Sequence, residues 1–240
     1  MTTSSAECPF CRAPIVSQLA RCDECQVALD WRTGQAVAHH PFIKPGDPLY
    51  FTDLTRAFLP GREGPASQLN DGTKFEACPQ GSLVTVVPKR AFEAYEPRLR
   101  SRDQCVRASF VALDPGVTIA CVGRIDTIQT AKLKYVLEID PRTQRFCLER
   151  GFSSPEIAQF VTLIAWKPHP AIAGLGQPNV VELRLQGPTL EARINDQHVA
   201  TLHDPVIGIG AAGLRLSATV DSTAPARAVV QWFEMRGVMA

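Results

Sequence analysis

Four of the eight cysteines stand as two Cys-x-x-Cys pairs, Cys8-Pro-Phe-Cys11 and Cys22-Asp-Glu-Cys25, separated by residues Arg12 to Arg21. Two residues between thiolates let a tight turn aim both sulfurs at one ion about 2.3 Å away, and two such turns complete a tetrahedral shell. A closed shell of four sulfurs leaves no position for water or substrate. The expected cofactor is therefore one structural Zn2+, held by Cys8, Cys11, Cys22 and Cys25. Binding of this kind is worth about 10–16 kcal/mol, which lets so short a segment fold. A disulfide pair or a redox Cys-x-x-Cys is the rival reading, and the sequence lacks the secretion signal or βαβ frame those need.

The other chemistry-bearing residues are scattered. Cys78, Cys105, Cys121 and Cys147 are solitary and read as small buried hydrophobes, with no neighbouring base to activate a thiol. His39-His40 follow the metal segment, but four cysteines already satisfy zinc. Gly208-Ile-Gly-Ala-Ala-Gly213 echoes a dinucleotide fingerprint and has no βαβ frame around it. Charges nearly cancel, 25 basic against 24 acidic. That balance argues against nucleic acid as a partner, since phosphate binding calls for a basic excess. The locally basic stretch from Lys89 to Arg107 reads as a solvated rim around a strand. No run approaches the roughly 20 apolar residues of a membrane helix. The N-terminus carries neither the basic nor the apolar region of a secretory signal, so the expected address is the cytoplasm, without a membrane partner.

The elements that must position these residues are strands. Val27 to Trp31 closes the metal segment, and residues 32–48, rich in Gly, Pro, His and Ala, form a linker. Leu49 to Asp53 opens the main domain, and a Pro- and Gly-rich loop runs from Pro60 to Gly72. Short apolar, β-branched runs then follow one another: Ser82–Val87, Cys105–Leu113, Val117–Ile125, Lys134–Ile139, Gln144–Glu149, Val161–Trp166, Val180–Leu185, Leu190–Ile194, His198–Leu202, Leu214–Ser217 and Val229–Met235. Asp140-Pro-Arg-Thr143 joins two of them as a hairpin in which proline presets the second turn position. Asn195-Asp196, which tolerate positive φ, join another pair. One helical turn is expected near Pro155 to Gln159. The fold class is thus all-β: a small metal-bound segment over 1–31 and a two-sheet antiparallel β-sandwich over 49–240.

Two resemblances sharpen this. The cysteine pattern resembles the short zinc-ribbon family, although Arg12 and Gln26 stand where that family usually has glycine. Residues 46–240 resemble the concanavalin A-like lectin/glucanase superfamily, particularly its laminin-G and 3-keto-disaccharide hydrolase-like jelly rolls. The order of features carries this second likeness. Tyr50 to Phe58 comes first, then the hairpin Tyr135 to Arg150 and the pair Val180 to Leu202 with Ile-Asn-Asp in its turn. Gly208 to Leu214 and a final Val-Gln-Trp-Phe-Glu-Met complete it.

That superfamily implies sugar binders, glycosidases and structural modules. A glycosidase needs two carboxylates. The superfamily's glucanases carry them in a Glu-x-Asp-x-Glu-like run, whose nearest counterpart here is Glu138-Ile-Asp140. Pro141 ends that strand, and Glu149 and Asp126 are left as stray carboxylates. A lectin needs aromatic platforms, for which Trp166, leading into Lys167-Pro-His-Pro170, and Tyr135 are the candidate ligand-binding residues. Calcium is not expected, for want of an Asp/Asn-rich loop. The leading expectation is a non-enzymatic cytoplasmic adaptor whose ribbon and jelly roll engage a protein partner or larger assembly. A carbohydrate-binding module is the alternative, and a glycoside hydrolase comes after it.

Overall fold

A computed structural model of the chain describes residues 72–128, 131–154 and 157–237, together with the short strands that precede them. The four cysteines of the expected zinc site, His39-His40 and most of the expected linker lie outside the described residues. In chain order the strands are β1 (Ala6–Glu7), β2 (Pro14–Ile15), β3 (Leu29–Asp30), β4 (Val37–Ala38), β5 (Pro48–Thr52), β6 (Ala66–Gln68) and β7 (Lys74–Cys78). Then follow β8 (Gly81–Val86), β9 (Ala91–Ser101), β10 (Gln104–Ala112), β11 (Val117–Ile128), β12 (Ala131–Asp140) and β13 (Arg145–Ser153). The last six are β14 (Ala158–Pro168), β15 (Pro178–Gln186), β16 (Thr189–Ile194), β17 (Gln197–His203), β18 (Gly210–Ala218) and β19 (Ala226–Gly237). No helix occurs among the described residues, and none is long and apolar enough to cross a membrane.

Two antiparallel sheets make the sandwich. One runs β17-β16-β15-β10-β19-β8-β7, with β5 also paired to β19; the other runs β14-β13-β12-β11-β18-β9-β6. The chain forms strands here because its apolar residues recur at every second position, which puts one side of each strand into the core. Phe92, Phe110, Ile119, Leu137, Ile139, Phe146, Leu148 and Leu183 fill the layer between the sheets without exposure.

The turns follow local chemistry. Asp140 Oδ1 accepts from the Arg142 and Thr143 amides at 2.9 and 3.4 Å, and Thr143 Oγ1 donates to its other oxygen at 2.7 Å. Asn195 and Asp196 take φ of 49° and 62°, the left-handed pair a tight two-residue hairpin demands. The expected helical turn is replaced: Ala158 and Gln159 already belong to β14 and pair with Ser153 and Phe152. The basic stretch after Lys89 forms the long strand β9, which pairs with β18 and β6.

One end of the sandwich is pinned by polar groups. Arg124 sits in a bulge of β11 at φ 48° and is 1% exposed. Its guanidinium donates to the carbonyls of Arg102 (2.9 Å), Ile207 (2.8 Å) and Gly187 (2.5 Å), so the buried charge is solvated by the chain itself. Beside it the Tyr135 hydroxyl donates to Asp204 at 2.9 Å and accepts from the Ile207 amide at 3.1 Å. Arg150 completes the group with a 2.6 Å ion pair to Asp204.

Candidate functional site

The outward face of the β14–β6 sheet departs from the alternation of an ordinary solvated sheet. Along β12, Tyr135, Leu137 and Ile139 enter the core, yet Lys132, Lys134, Val136 and Glu138, which point the other way, are also buried. Ala120, Val122, Ile125, Val136 and Ala211 form a second apolar cluster on that outward side, with Tyr95 against it.

Curvature explains this. Lys134 on β12 bonds Glu93 on β9, although β11 and β18 lie between. A flat sheet would hold those strands about 14 Å apart at 4.8 Å per step. The Arg215 guanidinium on β18 lies 5.2 Å from the ring centre of Phe160 on β14, four strand steps away. In a flat sheet that separation is about 19 Å, beyond the joint reach of the two side chains. The face is therefore concave, and long side chains from its two sides meet above small residues on its floor. Gly151 and Gly213 help make that floor. A Cβ on Gly151 would fall 2.8 Å from the Phe160 ring, and one on Gly213 would strike the Ala94 carbonyl at 2.3 Å.

Within this concavity Glu138, Cys147 and Glu149 come together. Counting back from the Asp140 turn, Glu138 faces Cys147 across the β12–β13 ladder, and Glu149 lies two residues further on the same side of β13. Their carboxylate oxygens and thiol sulfur lie within 4.8 Å of one another. The Thr118 hydroxyl donates to Glu138. Burial and then the neighbouring Glu138 charge raise the pKa of Glu149, while Arg215 pulls it back. Burial, followed by both carboxylates, raises the Cys147 thiol far above its ordinary value, so the sulfur is protonated and unreactive. The cluster thus offers two acceptor carboxyls, a guanidinium donor and an aromatic ring within one hollow.

This pairing corrects the reading of Glu149 as a stray carboxylate. Glu138 and Glu149 are eleven positions apart in the chain and neighbours only through hairpin register. The signal was available in the sequence: once the turn at Asp140 is placed, antiparallel pairing puts 138 opposite 147 and 136 opposite 149. Arg215 and Phe160 carry no such signal, because sheet order and curl bring them in.

Of the two aromatic candidates, Trp166 stands on the edge strand β14, 36% exposed, its carbonyl accepting from Arg145 at 2.6 Å. Tyr135 stands on the core side of β12, fully buried, its hydroxyl committed to Asp204 and Ile207. It offers no ring face to solvent, and its role is structural. The opposite outer face, on the β17–β7 sheet, carries several close ion pairs. Arg107 pairs with Glu182 at 2.7 Å and Asp196 at 3.0 Å, and Arg236 with Glu234. A shallow groove near Asp114 and Ser222 holds a single ion pair, Asp114 to Arg227 at 2.8 Å, already complete.

No protein-family model matches this chain, and no curated protein matches it. Solved structures do. A carbohydrate-binding module, CBM66, from Bacillus subtilis superimposes with a TM-score of 0.53 at 14% identity, over 69% of this chain and 92% of its own. A protein of unknown function with a galectin-like fold, also from Bacillus subtilis, gives 0.58 at 14%, over 81% and 97%. A family 16 glycoside hydrolase of Bacteroides ovatus, from its mixed-linkage glucan locus, gives 0.57 at 9%, over 78% and 99%. These findings overturn the expectation of a protein-docking adaptor: the neighbours named for a function bind or cleave carbohydrate, and the carbohydrate alternative fits them better. At such identities the likeness is one of architecture, and the described sandwich has the concanavalin A-like, galectin-like jelly-roll fold.

Proposed function

We propose that this protein binds carbohydrate in the concave face of its β14–β6 sheet. The observation that carries the reading is the convergence of Glu138, Glu149 and Arg215 beside the Phe160 ring, itself 36% exposed, in the hollow of this sheet. Sugar hydroxyls need acceptors and donors at fixed positions, and a pyranose face needs an aromatic or apolar surface to lie on. Both are present within one side-chain length. The fold shared with a carbohydrate-binding module supports the choice without naming the sugar. The test is a glycan array followed by calorimetry on wild type and on Phe160→Ala and Glu149→Gln. Saccharide binding weakened by both substitutions is the expected result. Binding to no saccharide, or binding indifferent to both, refutes it.

A second reading, glycoside hydrolysis, is favoured by one feature. The carboxyls of Glu138 and Glu149 are about as close as the 5–5.5 Å pair of a retaining glycosidase, and burial raises the pKa of Glu149. In that case Glu149 is the acid and Glu138 the nucleophile. The arrangement favours binding over cleavage, because Glu138 is only 8% exposed beneath its neighbours. Release of reducing ends, lost in Glu138→Gln, would reverse that preference.

The N-terminal segment completes the proposal. Cys8, Cys11, Cys22 and Cys25 hold one structural zinc in a ribbon that precedes the sandwich, a reading that rests on their spacing alone.

A further inference from the structure

Lys132 on β12 turns into the concavity with its side chain only 8% exposed, yet its ammonium meets no hydrogen-bond acceptor among the described residues. The carboxylate beside it, Glu93, lies 4.0 Å away and is already bonded by Lys134. The Tyr95 ring, centred 4.5 Å from the nitrogen, attracts the charge without accepting a hydrogen bond. Arg215 adds a third positive charge, close enough to lower the Lys134 pKa. Burial likewise lowers the Lys132 pKa, and Glu93 restores part of it. A buried ammonium short of acceptors is destabilising, and an oxygen delivered by a ligand relieves it. The other acids of the hollow are too far along the strands to fill this role. Glu138 stands six residues from Lys132 on β12, about 20 Å at the rise of a strand. Glu149 lies opposite Val136, which is four residues from Lys132, or about 13 Å.

We propose, resting on the reading that this hollow binds carbohydrate, that its ligand is an acidic saccharide whose carboxylate, sulfate or phosphate group is received by Lys132. The flexible four-carbon stem lets the ammonium swing from the Tyr95 ring to the anion, which then supplies the acceptor that Glu93 does not. A charge-assisted bond of this kind is shorter and stronger than one between neutral groups, so it discriminates between an acidic sugar and its neutral counterpart. The separation along β12 gives the two ends of the hollow different tasks. Lys132 reads the charge, while Glu138 and Glu149 accept from hydroxyls further along the same glycan.

The probe is a glycan array on which each backbone appears in neutral and in carboxylated, sulfated or phosphorylated form, applied to the full chain. The strongest signals should come from acidic members, and the acid that binds best identifies the source of the charge. Calorimetry on that glycan and its neutral counterpart should show a preference of about tenfold or more, the worth of one hydrogen bond to a charged group. Lys132→Met should collapse the ratio between the two ligands, and Lys132→Arg, which keeps the charge, should retain it. Lys132→Gln takes the place of the methionine variant if that chain fails to fold. Neutral glycans bound as tightly as acidic ones overturn the proposal and leave carbohydrate binding standing. A preference that survives removal of the Lys132 charge overturns it too. Silence from every saccharide removes both readings together.

Discussion

The guanidinium of Arg215 lies 5.2 Å from the ring centre of Phe160, although β11, β12 and β13 separate their strands. This contact spans the hollow and places a positive charge near Glu149, whose proton affinity it lowers. Arg215→Ala should therefore raise the pKa of Glu149 further, because burial and the Glu138 charge then act unopposed. Carbon-13 chemical shifts of the Glu149 carboxyl across a pH titration measure this without any ligand. A titration curve indifferent to the substitution would show that the two groups do not communicate. Phe160→Ala removes the ring and should weaken a bound saccharide by up to about tenfold, the worth of one aromatic contact.

Glu149→Gln should stabilise the protein at neutral pH. The folded carboxyl has a raised pKa, so the folded state binds the proton more tightly than the unfolded chain. Stability from this group is highest at acid pH and falls as pH rises from the unfolded value through the folded one. Glutamine removes that loss. The gain is a few tenths of a kcal/mol, because the carboxyl is partly solvated and screened. Thermal melts at pH 4 and pH 7 should show the variant's advantage only at the higher pH. A function-bearing position that costs stability is what a binding site leads one to expect.

Lys134→Met should be costly. Lys134 and Glu93 are 5% and 7% exposed, and removing one partner leaves the other buried without its bond. The expected loss is about 3 kcal/mol, the lower end for a broken buried pair. Lys132, 4.0 Å from Glu93, retains part of the compensation. Glu93→Leu in the same chain should recover most of the loss, since an apolar pair needs no solvation. Urea unfolding of the two single variants and the double variant gives the coupling directly.

Asp204→Asn should destabilise the sandwich end by about 1–3 kcal/mol near neutrality, the range for hydrogen bonds to a charged group. Burial opposes the Asp204 charge, but the Val206 amide, the Tyr135 hydroxyl and Arg150 together hold its pKa below the ordinary value. A depressed carboxyl contributes in full above its unfolded pKa of about 3.9 and loses that contribution as pH falls through the folded value. The difference between wild type and variant should therefore close below about pH 4. A difference constant with pH would remove Asp204 from the account.

Metal analysis of the purified chain should return one zinc per molecule. Cys22→Ser should abolish it and expose the remaining ribbon thiols to alkylation, leaving the melting of the sandwich in place. Those thiolates must be deprotonated to bind, so chelation or acid should release the same metal.

Local chemistry made much of the fold legible in advance. The Asp140-Pro141 and Asn195-Asp196 turns depend on residues within four positions, and period-two alternation marked most of the long strands. Ala91 to Ser101 is harder to read, because Glu93, Glu96, Arg98 and Arg100 mask its alternation. In the folded chain Glu93 is buried against Lys134, which only the curl of the sheet can arrange. The helical turn expected after Pro155 failed for a related reason: an available β13 edge captured Ala158 and Gln159 as strand.

By itself, the amino-acid sequence determined most of the long strands and their turns, since each depends on residues a few positions apart. The tertiary structure alone decided that the face carrying Lys132, Lys134 and Glu138 is hollow, and that Arg215 and Phe160 reach over it. The physical reason is that curvature belongs to a whole sheet: it accumulates from the twist between every neighbouring pair of strands, and no single stretch of chain contains it.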